Sequence, residues 1–137
     1  MNQAQQQLEA LETTAREYYQ SRLDQLRDIF DKIGSDSPEA NDEGWEEFYD
    51  YGLSIDYVHP YTFEGQRAPY WRWQLSWGGP SDEFRIYVDQ DNDIQEIEYV
   101  YLNWGECWKV DAMPDGDVLE ACQHHIEALP AIQLKEF

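Results

Sequence analysis

A chain of 137 residues in which 29 acidic side chains stand against 9 basic ones carries a formal net charge of −20 and a pI near 4.1. Such a surface repels nucleic acid and anionic membrane and draws basic partners, while 42% hydrophobic and 15% aromatic content supports one core and a single domain. The acids are unevenly spread: residues 1–32 set Glu9, Glu12, Glu17, Asp24, Asp28 and Asp31 against Arg16, Arg22, Arg27 and Lys32, so nearly all of the excess lies beyond residue 32.

Residues 3–33 lack Gly and Pro and are dense in good helix formers. Leu8, Leu11, Ala15 and Tyr18 recur at helical spacing, and the stripe resumes with a one-residue slip at Tyr19, Leu23, Leu26, Phe30 and Ile33. This predicts a long amphipathic helix covering a sheet, with Glu12 to Arg16 and Asp28 to Lys32 as i, i+4 pairs on its outer side. The competing use of the stripe is a homodimer seam. Gly34 ends the helix and Ser35 to Asn41, with Pro38 in it, reads as a polar loop. Across 42–50, Trp45, Phe48 and Tyr49 share one helical face and leave Asp42, Glu43, Glu46, Glu47 and Asp50 on the rest, so a short acidic helix follows.

Alternation of Tyr51, Leu53, Ile55 and Tyr57 predicts a strand ending at His59 and Pro60, and 61–69 is a loop. The stretch YWRWQLSWGGPSDEFRIYVD at 70–89 is a two-strand unit. Trp71, Trp73, Leu75 and Trp77 fall on one side of its first strand, Gly78, Gly79 and Pro80 turn the chain, and Phe84, Ile86 and Val88 alternate in the second. An acidic turn follows, then a strand over 94–104 in which Ile97, Tyr99 and Tyr101 alternate with Glu96, Glu98 and Val100. Gly105 breaks that strand, and 107–110 reads as a short edge piece. Asp117 and Glu120 have capping-box spacing and open a helix with the stripe Leu119, Cys122, Ile126 and Leu129, stopped by Pro130. The expected fold is α+β: a long N-terminal helix over 1–33, an acidic loop and short helix over 34–50, a sheet of about four antiparallel strands over 51–111, and a C-terminal helix and tail over 112–137, with the helices on one face.

Few chemical constellations survive inspection. Asp89, Asp91 and Asp93 begin like a calcium loop, but Ile94 takes the place of the turn glycine and Val100 that of the bidentate glutamate. Cys107, Cys122, His124 and His125 lack zinc-site spacing, and Cys122 reads as core. Glu96 and Glu98 share a strand face, yet carboxylates are too common here for a pair to mark catalysis. No nucleophile elbow, phosphate loop, dinucleotide fingerprint or H-E-x-x-H occurs. The expectation is therefore no enzyme, no metal and no cofactor. Trp71, Trp73, Trp77, Trp104 and Trp108 lack the basic groove of a single-strand binder, so they read as a tryptophan-rich core with one or two rings left as contact anchors. With no charged start leading to an apolar run, no apolar stretch near eighteen residues and no disulfide framework, a cytoplasmic chain with reduced thiols is expected.

The segment SWGGPSDEFRIYVD, with IEYVYLNW further on, resembles a group of small acidic proteins of bacterial plasmids, integrated elements and phages. The resemblance spans roughly residues 52–104, and in overall character the chain is similar to anti-restriction and anti-CRISPR inhibitors. It implies an anti-defence inhibitor that binds a basic nucleic-acid-binding surface of a host protein or nucleoprotein complex by presenting carboxylates in place of phosphates, itself binding neither nucleic acid nor membrane. The candidate surface is Asp42, Glu43, Glu46, Glu47 and Asp50 with Asp89, Asp91, Asp93, Glu96 and Glu98. The alternative is an immunity-type or regulatory protein that neutralises a basic toxin or enzyme.

Overall fold

The helix expected over 3–33 forms with those bounds. In the computed structural model, which describes residues 2–129, α1 runs Gln3–Ile33. Asn2 caps it: its side chain accepts from the Gln5 amide at 2.8 Å, and the Gln5 side chain accepts from the Asn2 amide at 3.1 Å. The second helix, α2 (Pro38–Asp50), begins four residues earlier than its acidic face predicts. Ser37 is its N-cap and Pro38 its first residue, where a missing amide costs nothing. Then come β1 (Ser54–Val58), β2 (Tyr70–Ser76), β3 (Ser81–Val88), β4 (Ile94–Asn103), β5 (Glu106–Asp111) and α3 (Gly116–Glu127).

The strands make one antiparallel meander in the order β1-β2-β3-β4-β5, with five strands in place of about four. Trp104 and Gly105 both take positive φ, 49° and 84°, and so close a two-residue hairpin that pairs Asn103 with Glu106. What reads as a break is thus a turn, and the edge piece becomes a full strand. The first strand starts at Ser54, later than the alternation from Tyr51 implies. At the other end, α3 starts at Gly116 with Asp115 as its N-cap residue, so Asp117 lies inside the helix and opens no capping box; the Asp115 carboxylate accepts from the Tyr19 hydroxyl of α1 and makes no cap bond. The expected stop at Pro130 and the tail lie outside the described residues.

Register assigns the faces. Trp71 pairs with Ile86, Trp73 with Phe84, Phe84 with Tyr99, Ile86 with Ile97, and Tyr101 with Trp108, so these side chains share the side covered by the helices. They pack on Ala15, Leu26 and Ile29 of α1, Phe48 of α2, and Val118, Ala121, Cys122 and Ile126 of α3. Gly44 lets α2 approach α1: a Cβ there would stand 2.8 Å from the Ile33 amide nitrogen. The other face carries Tyr70, Arg72, Gln74, Glu83, Arg85, Tyr87, Glu96, Glu98 and Lys109 without a covering helix.

Trp77 departs from the pattern that places it with Trp71 and Trp73. The β2 to β3 register shifts between Gln74 and Ser76, so Ser76 turns to the Asp82 carboxylate (2.5 Å) and Trp77 is left 66% exposed. Asp82 shares the parity of Phe84 and Ile86 and lies fully buried among them. Arg22 of α1 grips it with two hydrogen bonds, Nε to Oδ2 at 2.8 Å and Nη2 to Oδ1 at 2.9 Å, while the Tyr99 hydroxyl donates to Oδ2 at 2.7 Å. One buried charge pair thereby fixes the rotation of α1 over the sheet. No helix among the described residues is long and apolar enough to cross a membrane.

Candidate functional site

On α2 the apolar stripe turns inward and pushes the acids out. Phe48 is fully buried and meets Trp73, His125 and Phe30, while Asp42, Glu43, Glu46 and Asp50 are exposed and Glu47 is half-buried. Glu43, Glu46, Glu47 and Asp50 form one wall of a groove of about 910 Å³, and α1 supplies the other with Gln25, Asp28, Ile29, Asp31 and Lys32. Asp42 sits on the same helix outside it.

Lys32 is the groove's single cation among the described residues. It bonds Glu47 at 2.5 Å and approaches Glu43 at 3.7 Å, and the Glu47 carboxylate holds its ammonium above the ordinary lysine pKa. The expected pairing with Asp28 is not made. Asp28, Asp31, Glu46 and Asp50 consequently have no cation within 4.0 Å among the described residues. Glu47 and Asp50 also occupy the C-terminal turn of α2, with Glu46 just before it, and that turn has no basic residue to offset the negative end of the helix dipole. A carboxylate so placed costs roughly 0.3–1 kcal/mol at an exposed site. The groove therefore concentrates negative potential at some expense of stability and favours a cationic group.

The second group of predicted acids lies elsewhere. Asp89, Asp91 and Asp93 are exposed in the turn between β3 and β4, their carboxylate oxygens within 4.8 Å of one another. One Asp89 oxygen accepts from the Asp91 and Asp93 amides at 2.9 and 3.0 Å, so that carboxylate organises the turn. Glu96 and Glu98 project from β4 on the uncovered face, where Glu98 accepts from the Tyr87 hydroxyl at 2.7 Å. The ten acids accordingly fall into two groups, since α2 belongs to the helical layer and Glu96 and Glu98 to the opposite side of the sheet.

Of the tryptophans, Trp71 and Trp73 are core, Trp108 is half-buried, and Trp77 and Trp104 are exposed at 66% and 87%. These two rings, with exposed Leu53, stand at the end of the sheet where β1 starts and the β2 to β3 and β4 to β5 turns lie. They are the exposed rings that the aromatic pattern leaves over. The cysteines do not meet: Cys122 is buried in the core, where burial pushes its thiol well above the ordinary value, and Cys107 is exposed on β5 at a position paired with Leu102 on the uncovered face.

His125 fills the space between α3 and the sheet, stacked on Phe48 at 4.6 Å and edge-on to Trp73 at 4.3 Å. Its Nε2 is buried without a hydrogen-bond partner among the described residues. Burial, with a smaller contribution from neighbouring His124, pushes its pKa down to about 4. The unfolded chain takes up this proton near pH 6.5 and the folded one only near 4, so stability falls as pH drops through that window, by on the order of 3 kcal/mol. Denaturant titrations between pH 7 and 4 are expected to show His125→Phe losing less stability than the natural chain across this range.

Asp28 and Asp31 line the groove too, and the sequence pattern does not single them out: spacing pairs Asp28 with Lys32 on its own helix, and no acid-first spacing marks Asp31. Comparison with known proteins adds no constraint: no family model, curated protein or solved structure matches this chain.

Proposed function

We propose that the chain is an acidic inhibitor that occupies a basic, nucleic-acid-binding surface of a host defence complex, with the groove between α1 and α2 as its contact site. The observation that carries this reading is the set Asp28, Asp31, Glu46 and Asp50, lining one groove without a counter-ion within 4.0 Å among the described residues. Duplex DNA presents about one charge per 1.7 Å of axis, and a cluster of carboxylates offers the same sign of charge to arginines and lysines that grip phosphates. The resemblance of residues 52–104 to proteins of mobile elements supports a host target. The exposed rings of Trp77 and Trp104 supply apolar area for a short-range anchor.

The separation of the ten acids into two groups favours a second reading as well. A single compact groove fits one basic active site better than a long duplex track, as in an immunity-type neutraliser of a basic toxin or enzyme.

Two measurements on labelled duplex DNA test the proposal. Alone, the protein is expected to give no mobility shift at micromolar concentration. Added to CRISPR surveillance and restriction complexes, it is expected to displace the DNA they hold. Direct DNA binding by the protein would overturn the inhibitor reading. Failure to displace DNA, together with inhibition of a basic nuclease toxin, would move the function to the second reading.

A further inference from the structure

The uncovered face of the sheet holds a second groove, of about 450 Å³, within the size range of small-molecule sites. Its floor is Tyr70, Arg85 and Tyr87 of β2 and β3, its sides are Glu96, Glu98 and Lys109, and the loop from Phe63 to Ala68 closes one edge. Gln66 holds that loop, its side-chain nitrogen donating to the His59 and Ala68 carbonyls at 3.0 and 2.8 Å and its oxygen accepting from the Phe63 amide at 3.1 Å.

The charges around this groove are unusual for such an acidic chain. Arg16, Arg22, Arg27, Lys32, Arg72 and Arg85 each meet a carboxylate. Arg67 and Lys109 meet none among the described residues, and both line the groove. Glu64 and Glu96 line it too, likewise without a cation within 4.0 Å among the described residues. Charges of both signs thus face one space without neutralising each other. In the floor, Tyr70 is 2% exposed, and its hydroxyl is buried with no hydrogen-bond partner among the described residues. Arg85 stands 5.0 Å from the centre of that ring and is tied to Glu83 at 2.8 Å, so it holds the ring in place.

Unpaired cations and unpaired carboxylates in one groove are satisfied together by a ligand that carries both charges. A simple anion meets Glu64, Glu96 and Glu98, and a simple cation meets Arg67, Arg85 and Lys109. We propose that this groove binds a small zwitterion of amino-acid or dipeptide size, its carboxylate answered by Arg67 and Lys109, its ammonium by Glu96, and an aromatic or apolar body lying against Tyr87 and Phe63. The site is independent of the groove between α1 and α2, on the far side of the sheet.

The test is an NMR titration of the full chain with glycyl-tyrosine, compared with N-acetylglycyl-tyrosine, which lacks the ammonium, and glycyl-tyrosinamide, which lacks the carboxylate. Saturable shifts of Arg67, Tyr87 and Lys109 signals are expected with the free dipeptide, at a Kd on the order of 1 mM or tighter. Each blocked analogue is expected to bind about tenfold more weakly, as are Lys109→Met and Glu96→Gln proteins with the free dipeptide. Both substituted side chains are exposed, so melting temperature should not change. Absence of saturable shifts with glycyl-tyrosine overturns the proposal, and so does equal binding of either analogue.

Discussion

Replacing Arg22 with Met is expected to destabilise the fold by about 3–5 kcal/mol, because it leaves the Asp82 carboxylate buried without its cation. Asp82 is fully buried and the Arg22 side chain only 17% exposed, so water cannot take over the lost contacts. The remaining partners, Tyr99 and Ser76, supply hydroxyl hydrogen bonds but no compensating charge. The double replacement Arg22→Met with Asp82→Leu should recover most of the loss, since an apolar pair removes the stranded charge. Urea denaturation of the two proteins measures this directly. A single variant as stable as the natural chain would mean that the pair does not hold α1 to the sheet.

Trp73→Ala is expected to cost about 3–5 kcal/mol by the same measurement. The indole is 1% exposed and lies where three elements converge: Phe84 of β3 at 5.5 Å, Phe48 of α2 at 6.3 Å and His125 of α3 at 4.3 Å. Its Nε1 also donates to the Tyr51 carbonyl at 3.4 Å, a longer bond that ties the chain leaving α2 to the sheet. Removing the ring takes support from beneath α2, and with it from one wall of the acidic groove. Trp77→Ala, two thirds exposed, is expected to leave stability nearly unchanged.

How far the molecule can be read from its residues depends on how local the cause is. The bounds of α1 follow from an unbroken run of helix formers between Asn2 and Gly34, and the acidic face of α2 follows from the spacing of Trp45, Phe48 and Tyr49. The fifth strand reads only as a short edge piece after a break because a tryptophan occupies a left-handed turn position that usually holds Asn, Asp or Gly. The outward turn of Trp77 depends on a bulge, which a period-2 count cannot register. Asp82 carried a readable signal, a carboxylate in step with Phe84 and Ile86, but its partner stands 60 residues away. The groove was half legible for a related reason: the choice of Lys32 between Asp28 on its own helix and Glu47 on the next is made by helix packing.

That packing makes Glu46 and Asp50 the cleanest probes of the acidic groove, since both are exposed and, unlike Glu47, bond no lysine among the described residues. Under the proposed function, the decisive measurement is the association rate of the Glu46→Lys, Asp50→Lys protein with a defence complex that the natural chain is found to displace from DNA, followed against ionic strength with melting temperature as control. Steering by the groove predicts association slowed about tenfold at low salt and a flattened salt dependence, with an unchanged melting temperature. Unchanged kinetics at unchanged stability would contradict the account and place the contact surface outside the groove between α1 and α2.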